Sequence, residues 1–225
     1  MKKYAVIVAG GSGLRMGTII PKQFLPIFGK PVLLYTLNTF LDAYQDMEII
    51  LVLPEQHINT GQEIVNQCDA PSRIKITIGG ATRFDSVKNG LKHIHQHSIV
   101  FVHDAVRCLI TTQLIHRCYE TALENGNAIP ALRAVDTIRI EHYNRNEQID
   151  REKVRIIQTP QTFFSEIIQA AFDLDYEESF TDEASVVEKL GVNIVLVEGE
   201  DSNIKITRPI DLLIAEKIME ERFMI

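Results

Sequence analysis

Near its start the chain reads Tyr4-Ala5-Val6-Ile7-Val8-Ala9-Gly10-Gly11-Ser12-Gly13-Leu14-Arg15-Met16-Gly17, and Lys22 follows five residues later. An apolar strand that runs into glycines brings backbone N–H groups close to a polyphosphate, and nearby cations neutralise its charge. Neither common phosphate loop fits. Met16 stands where a dinucleotide fingerprint needs its third glycine, and Pro31 follows Gly29-Lys30 where a Walker loop needs Ser or Thr. The stretch therefore indicates a different kind of nucleotide site.

Composition suits one α/β domain over residues 1–225, because 45% hydrophobic residues can build a core and 24% charged residues can cover a surface. A net charge of −7 argues against a nucleic-acid partner, although a small anion can bind where cations converge in one cleft. Cys68, Cys108 and Cys118 have no paired spacing, which favours reduced thiols. No signal-peptide core and no apolar run of membrane-spanning length is evident. The sequence thus predicts a cytoplasmic protein without a membrane partner.

Short apolar runs alternate with helical patterns along the first half of the chain. The runs at 4–9, 49–53, 74–78 and 99–102 have the length and composition of buried strands. Apolar side chains at three- and four-residue intervals after Pro31 predict a helix. The alternation predicts a mostly parallel twisted sheet with helices on both faces and a ligand at the carboxyl ends of the strands. The glycine loop and Asp104 both follow such ends.

Residues 137–157 depart from this alternation. Ile138 and Ile140 alternate with polar residues, a turn is predicted at 144–146, and an extended pattern resumes at Ile149 and Val154. This pattern predicts a protruding β-hairpin arm. Because a two-stranded ribbon is only marginally stable alone, we expect the arm to pair with a second subunit.

Two later helices are indicated by their first residues. Thr181 suits the cap of a helix whose first turn carries Asp182 and Glu183, so these two acids have a structural explanation. Pro209 suits the first turn of the final helix.

Further motifs follow the glycine loop in order, at residues 21–25, 79–87, 103–107, 136–138, 150–151, 158–161, 181–185 and 203–207. Together they resemble the sugar-phosphate nucleotidyltransferases, and most closely the 2-C-methyl-D-erythritol 4-phosphate cytidylyltransferase family, over nearly the whole chain. The resemblance implies a nucleotide-diphosphate-sugar-transferase-like fold. It also implies transfer of the cytidylyl group of CTP to 2-C-methyl-D-erythritol 4-phosphate, which gives 4-diphosphocytidyl-2-C-methyl-D-erythritol and pyrophosphate in non-mevalonate isoprenoid biosynthesis.

The resemblance implies a role for each matching residue. The catalytic cations match at Arg15, Lys22 and Lys205. The nucleotide pocket matches at Ala9, Gly10, Gly11, Gly13, Gly80, Arg83 and Ser86, and the carboxylate associated with Mg²⁺ and the nucleotide matches at Asp104. Contacts to the polyol phosphate match at Arg107, Thr137, Arg151 and Thr159. Thr137 and Arg151 lie on the hairpin, which in the family embraces the second protomer of a homodimer.

These residue types suit a reaction between phosphates. A phosphate monoester has a second pKa of roughly 6, so the nucleophile needs no general base and cations do most of the catalytic work. Some alternatives stay open. Ser86 contacts the base, contacts the ribose-phosphate or caps a helix. The polyol substrate is either methylerythritol phosphate or ribitol 5-phosphate. A non-catalytic regulatory protein that binds a nucleotide would keep the same pocket. His103 has no second His at a metal-ligand spacing and is expected to be structural.

Overall fold

Strands and helices alternate along residues 1–10 and 20–223, the part of the chain that the computed structural model describes. The strands are β1 (Lys2–Val8), β2 (Pro26–Ile27), β3 (Lys30–Pro31), β4 (Met47–Leu53), β5 (Ile74–Ile78), β6 (Ser98–Asp104), β7 (Asn127–Arg133), β8 (Ile138–His142), β9 (Arg145–Ile149), β10 (Arg155–Ile157), β11 (Gln161–Phe164) and β12 (Leu196–Glu198). The helices are α1 (Val32–Ala43), α2 (Ile58–Val65), α3 (Arg83–Leu91), α4 (Thr112–Asn125), α5 (Ser165–Phe172), α6 (Glu183–Glu188) and α7 (Pro209–Phe223).

Eight of these strands form one sheet in the order β5–β4–β1–β6–β11–β7, in which β10 and β12 also pair with β7. Strand β1 is parallel to β4 and β6, and β4 is parallel to β5. Strand β11 is antiparallel to both of its neighbours, β6 and β7. Strand β10 is likewise antiparallel to β7. The predicted mostly parallel sheet is confirmed, and its two antiparallel strands, β10 and β11, are a feature that the sequence patterns did not indicate.

Helices cover both faces of the sheet, as predicted. Successive strand residues point to opposite faces, so Ile7 and Leu51 pack with α1, α2 and α4, whereas Val6 and Val52 pack with α3, α5 and α6. All four side chains are buried. Burial on both faces explains why the central strands are apolar throughout. A third cluster, which includes Ile27, packs α7 against the β2–β3 ribbon.

The helices of the described residues do not combine the length and the apolar character that crossing a membrane would require.

Strands β8 and β9 form a separate antiparallel ribbon that, within the described chain, pairs with no other strand. Its turn lies at Tyr143 and Asn144, earlier than the predicted turn at 144–146, and Tyr143 has a φ angle of 41°. The arm was predicted to extend to residue 157, but β10 returns to the main sheet and pairs with β7. The ribbon is therefore shorter, because the extended pattern after Ile149 belongs to another pairing partner.

The ends of two helices follow from local sequence. Helix α7 begins at Pro209, as predicted. Asp182, not Thr181, caps α6, and its carboxylate accepts a hydrogen bond from the backbone N–H of Ser185 at 2.9 Å. A carboxylate at this position also interacts favourably with the helix dipole, which explains the shift of the cap by one residue.

Helix α3 approaches the sheet closely because Gly90 has no side chain. A Cβ atom on Gly90 would lie 2.6 Å from Cγ1 of Val6 and 3.1 Å from Cγ2 of Val52. Both valines are buried in central strands, and β-branched side chains have little rotational freedom. Gly90 therefore sets the distance between the sheet and the helix whose first turns carry Arg83 and Ser86.

We expect Gly90→Ala to lower the free energy of unfolding by about 1–2 kcal/mol, because overpacking outweighs the gain in helix propensity of about 1 kcal/mol. Urea-induced unfolding with an unchanged m-value would measure this loss. A variant as stable as the parent protein would contradict the close-packing role of Gly90.

Candidate active site

A cleft of about 290 Å³ lies at the carboxyl ends of β1 and β6, beside the loop that joins β5 to α3. This is the position predicted for a ligand in a sheet of parallel strands. The uncharged predicted residues that line it are Ala9, Gly10, Gly80 and Ser86. The charged ones are Lys22, Arg83, Asp104 and Lys205. The fold thus brings together predicted site residues from distant segments of the chain.

The N-terminus of α3 forms one wall of the cleft. Thr82 caps the helix, since its hydroxyl accepts from the N–H of Asp85 at 3.0 Å while the Asp85 carboxylate accepts from the N–H of Thr82 at 3.1 Å. Ser86 is therefore not the cap. Its hydroxyl donates to the carbonyl of Thr82 at 2.9 Å and accepts from the N–H of Gly80 at 3.1 Å. Ser86 thus fastens the glycine turn to the helix.

Gly80 has no room for a side chain, because a Cβ atom there would lie 2.2 Å from the Cβ atom of Asp85. A similar limit holds at Gly79, where a Cβ atom would lie 2.9 Å from Oγ of Ser86. The two glycines let the backbone pass close to the first turn of α3. This close passage leaves the cleft open beside the backbone of residue 80.

Asp104 ends β6 and is the carboxylate of the cleft. Its Oδ2 atom lies 2.9 Å from Nζ of Lys205 and 3.6 Å from Nε of Arg107. Its Oδ1 atom lies 3.3 Å from Nη2 of Arg83. Asp104 is only 7% exposed. Three cations from three segments therefore converge on one buried carboxylate.

These cations keep Asp104 ionised. Burial by itself raises the pKa of a carboxyl group, but Arg83, Lys205 and Arg107 together outweigh burial and hold the pKa of Asp104 well below its ordinary value. Burial acts on Arg107 in the opposite sense and lowers its pKa, although Asp104 counteracts this change. Asp104 and its cations thus stabilise one another's charged forms.

Lys22 lines the cleft although its side chain is largely buried. Its ammonium group donates to the carbonyl of Ile206 at 2.8 Å, and the side chain of Gln23 donates to the carbonyl of Ala9 at 2.8 Å. These bonds tie the turn at 22–24 both to the end of β1 and to the segment that carries Lys205.

The charge of the cleft contrasts with that of the whole chain. The formal charges of the cleft residues and their ion-pair partners add to +2, from the cations Lys22, Arg83, Arg107 and Lys205 and the carboxylates Asp104 and Glu183. The whole chain, in contrast, has a net charge of −7. A local excess of positive charge in a cleft favours anionic ligands. Phosphate groups are ligands of this kind.

A buried chain of hydrogen bonds fixes the backbone behind Asp104. The Thr159 hydroxyl accepts from the N–H of Asp104 at 3.1 Å and donates to Nδ1 of His103 at 2.9 Å, and Nε2 of His103 donates to the carbonyl of Arg107 at 3.2 Å. Burial lowers the pKa of His103 to about 3, so its ring is neutral and has one donor and one acceptor nitrogen. His103 is structural, as predicted. Because protein groups occupy the Thr159 hydroxyl, its contact with the polyol phosphate stays a prediction.

Arg107 connects the end of β6 with the segment at 203–207. Its Nη1 atom donates to the carbonyl of Asn203 at 2.7 Å, and the side chain of Asn203 donates to the carbonyl of Thr159 at 2.8 Å. Through these bonds Arg107 supports Asp104 and the neighbouring backbone. Its predicted contact with the polyol phosphate stays a prediction.

The remaining predicted residues lie elsewhere. Thr137 and Arg151 are exposed near the ends of the β8–β9 ribbon and do not line the cleft of their own chain, and Nη1 of Arg151 donates to the carbonyl of Val135 at 2.6 Å. Gly11, Gly13 and Arg15 lie outside the described residues.

Sequence reasoning missed the connection of Glu183 to the cleft. This residue is fully buried, and its two carboxylate oxygens pair with the guanidinium group of Arg83. An acid at a helix start has an ordinary explanation as a cap, and that explanation holds for Asp182. The available signal was the second acid, because one carboxylate is enough to cap the helix.

The fold and the cation-lined cleft are those of a nucleotidyltransferase. Among solved structures, the chain is similar to the 4-diphosphocytidyl-2C-methyl-D-erythritol synthase of Anaerococcus prevotii, with a TM-score of 0.84 and 30% identity over 97% of this chain and 96% of that chain. It is also similar to the 2-C-methyl-D-erythritol 4-phosphate cytidylyltransferase of Francisella tularensis, with a TM-score of 0.80 and 32% identity over 96% and 99% of the two chains.

Sequence comparison narrows this class to one family. A curated 2-C-methyl-D-erythritol 4-phosphate cytidylyltransferase from Bacteroides fragilis is 42% identical over 219 residues, which cover 97% of this chain and 100% of the relative. The sequence model of the family matches residues 4–221. The chain therefore belongs to the 2-C-methyl-D-erythritol 4-phosphate cytidylyltransferase (IspD) family, which confirms the resemblance seen in its motifs.

We expect Thr159→Val to lower the free energy of unfolding by about 1–3 kcal/mol, because the isosteric side chain leaves the buried N–H of Asp104 and Nδ1 of His103 without their partner. Thr159→Ser keeps the hydroxyl and is the matched control, with a smaller loss expected. Denaturant unfolding of both variants would measure the difference. Equal stability of the Val and Ser variants would contradict the role given to this hydroxyl.

Proposed function

We propose that this chain transfers the cytidylyl group of CTP to 2-C-methyl-D-erythritol 4-phosphate and releases pyrophosphate. The observation that carries the proposal is a cleft with excess positive charge at the carboxyl ends of β1 and β6, in a chain whose family match covers residues 4–221. Both substrates of this reaction are phosphate anions, and such a cleft can bring them together.

In the proposed reaction a phosphate oxygen of the polyol phosphate forms a bond with the α-phosphorus of CTP. The bond from that phosphorus to the oxygen that bridges to the β-phosphorus breaks, and pyrophosphate leaves. The nucleophile is largely dianionic at neutral pH, since the second pKa of a phosphate monoester is roughly 6. The reaction therefore requires positioning and charge stabilisation and no general base, which agrees with a cleft lined by cations.

The cleft residues have distinct roles in this proposal. Lys205 exchanges the carboxylate of Asp104 for phosphate oxygens when the substrates bind, and its partly exposed side chain is free to turn toward them. Lys22 stabilises the charge that develops on the α-phosphate, where a preorganised donor contributes more in the transition state than in the ground state. Arg15 holds the triphosphate. Backbone at Ala9, Gly10, Gly11 and Gly13 and the turn at Gly80 with Ser86 receive the nucleotide.

Mg²⁺ is the proposed cofactor, and Asp104 fits it. The ion takes oxygen ligands and is commonly held by one or two carboxylates, substrate phosphates and water. Among the described residues, no group of three or more His, Cys, Asp or Glu side chains could hold a metal ion by itself. We propose that Asp104 holds the ion together with the phosphates of CTP. When bound, Mg²⁺ neutralises phosphate charge and helps to orient the nucleotide.

We also propose a homodimer in which the β8–β9 ribbon reaches the cleft of the partner. The ribbon has no pairing partner within the described chain and exposes Ile140 and Tyr143. Thr137 and Arg151 lie next to it and outside the cleft of their own chain. A second copy of the chain would cover the exposed ribbon and bring Arg151 to a polyol phosphate, which its planar guanidinium group can bind with two hydrogen bonds.

The cytoplasm is the proposed compartment of this enzyme. Cys68, Cys108 and Cys118 are buried free thiols, and burial raises the pKa of each to about 12. Unpaired thiols of this kind are typical of a reducing compartment.

A panel of substrates tests the proposed activity. We expect the highest kcat/KM for pyrophosphate release with CTP and 2-C-methyl-D-erythritol 4-phosphate in the presence of Mg²⁺, and lower values when ATP replaces CTP or ribitol 5-phosphate replaces the branched polyol. A preference for ribitol 5-phosphate would reassign the acceptor. Absence of pyrophosphate release with every pair would overturn the proposed function.

Paired lysine variants are the control for this assay. Lys205→Met removes a cation of the cleft, and we expect kcat to fall about 100-fold or more with a smaller change in the affinity for CTP. Lys217→Met removes an exposed lysine of α7 that pairs with Glu220, and its kinetics should match those of the parent protein. Equal kinetics of the two variants would contradict the catalytic role of Lys205.

Mixed dimers test the proposed contact between subunits. We expect Lys205→Ala and Arg151→Ala to be poorly active alone, and subunit exchange between them to restore activity in roughly a quarter of the sites, because one cleft of each mixed dimer then contains both intact residues. Steady-state assays before and after exchange would measure the recovery. If exchange is demonstrated by mass and no activity returns, Arg151 does not act in the cleft of its partner.

A further inference from the structure

Glu183 is a buried carboxylate whose described partner is a cleft residue. It is the first residue of α6 and has no exposed surface. Its Oε1 atom accepts from Nη1 of Arg83, and its Oε2 atom accepts from Nη2 of the same group at 3.2 Å. Nη2 also donates to Oδ1 of Asp104 at 3.3 Å. From the core to the cleft, the order is therefore a negative charge on Glu183, a positive charge on Arg83 and a negative charge on Asp104.

Hydrogen bonds to the sheet fix the position of Glu183. The buried side chain of Gln161 donates to Oδ2 of Asp182 at 2.8 Å and accepts from the N–H of Ala184 at 2.7 Å. Gln161 belongs to β11 and pairs with Val102 of β6, two residues before Asp104. The two residues that flank Glu183 are therefore anchored to the neighbour of the strand that ends in Asp104. This arrangement closes a rigid loop of contacts around the guanidinium group.

Stability alone is a weak explanation for this ion pair. Replacing a buried ion pair by apolar residues of similar volume is often neutral or stabilising, since two charges have lost their hydration. Burial indeed raises the pKa of Glu183, and Arg83 opposes that change. The side chain of Arg83 is 33% exposed at the cleft, and a long flexible side chain in such a place loses conformational entropy when it is ordered. An anchor inside the protein reduces this loss at the moment of binding.

We propose that Glu183 is a positioning residue that fixes the guanidinium group of Arg83 at the wall of the cleft, so that Arg83 is preorganised toward Asp104 and the phosphates of the nucleotide. This inference rests on the proposed function. It assigns a role to the acid of the 181–185 motif that helix capping leaves unexplained, and it links that motif with the 79–87 motif through one ion pair.

A double-mutant cycle tests this coupling. We expect Glu183→Gln to raise the KM for CTP and its dissociation constant by roughly 10-fold or more, because the amide cannot hold the guanidinium group by two charge-assisted bonds. In an Arg83→Gln background, the same change should alter both constants less than about 2-fold. Glu188→Gln removes an exposed carboxylate from the same helix and is the matched control, with kinetics like those of the parent protein.

Two results would contradict the proposed coupling. A similar effect of Glu183→Gln in both backgrounds, or loss of thermal stability with unchanged binding of CTP, would overturn the positioning role. If Glu183→Gln does not fold, Glu183→Asp keeps the buried charge but shortens the side chain by one methylene, and the cycle is repeated with that variant. The dissociation constant of CTP is measured by calorimetry without the polyol phosphate, so this test does not depend on turnover. If the parent protein binds CTP but releases no pyrophosphate, the proposed function fails, and the effect of Glu183 on CTP binding can still be measured.

Discussion

A buried carboxylate at the end of a central strand is the constraint on which the rest of the site depends. Asp104 is fixed by β6, and taking its charge out of water is costly unless cations compensate for it. Arg83 comes from the start of α3, Arg107 from the loop after β6 and Lys205 from a segment about one hundred residues further along. The ion pairs that compensate the charge of Asp104 therefore bring three separate segments of the chain together around the cleft. Two further contacts position the same segments: Gly90 lets α3 pack closely on the sheet, and Lys22 donates a hydrogen bond to the carbonyl of Ile206.

The compensated carboxylate also explains how an acidic chain keeps a site for phosphates. The positive charges of the cleft outnumber the negative charges of Asp104 and Glu183, so the cleft has a positive net charge. The negative net charge of the chain therefore comes from residues elsewhere. Hydrogen bonds to other parts of the protein hold Lys22, Arg83 and Arg107 in place before any ligand arrives. Preorganised charge requires little rearrangement when a phosphate binds, which is the condition under which electrostatic stabilisation is most effective. Catalysis by positioning and charge needs this kind of site.

The sequence predicted the parts of the molecule in which one physical requirement dominates. Strands β1, β4 and β6 are buried on both faces, and their apolar runs identify them. The strand predicted at 74–78 is present as β5, but the prediction that it is buried was wrong, because its residues are partly or fully exposed. Strands β10, β11 and β12 have only three or four residues, and β11 runs in the opposite direction to its neighbour β6, which no local pattern records. The cap of α6 was misplaced by one residue because Thr181 and Asp182 both suit a cap. The pairing of Glu183 with Arg83 joins residues one hundred positions apart. Such a contact follows from the fold, and local sequence reveals only an acid at a helix start.

The placement of the hairpin residues follows from charge balance in the proposed reaction. A nucleoside triphosphate and a phosphate monoester both enter the same region, and the described cleft residues supply an excess of only +2. Adding more cations to the free cleft would raise their mutual repulsion and destabilise the fold. In the proposed dimer, a cation on an element of the partner subunit adds no repulsion to the folding of a single chain, because it reaches the cleft only on assembly. Arg151, exposed beside the β8–β9 ribbon and outside its own cleft, is suited to this role. We propose that the dimer holds two anions side by side by dividing the site between the sheet that carries the cleft and the exposed arm of the partner.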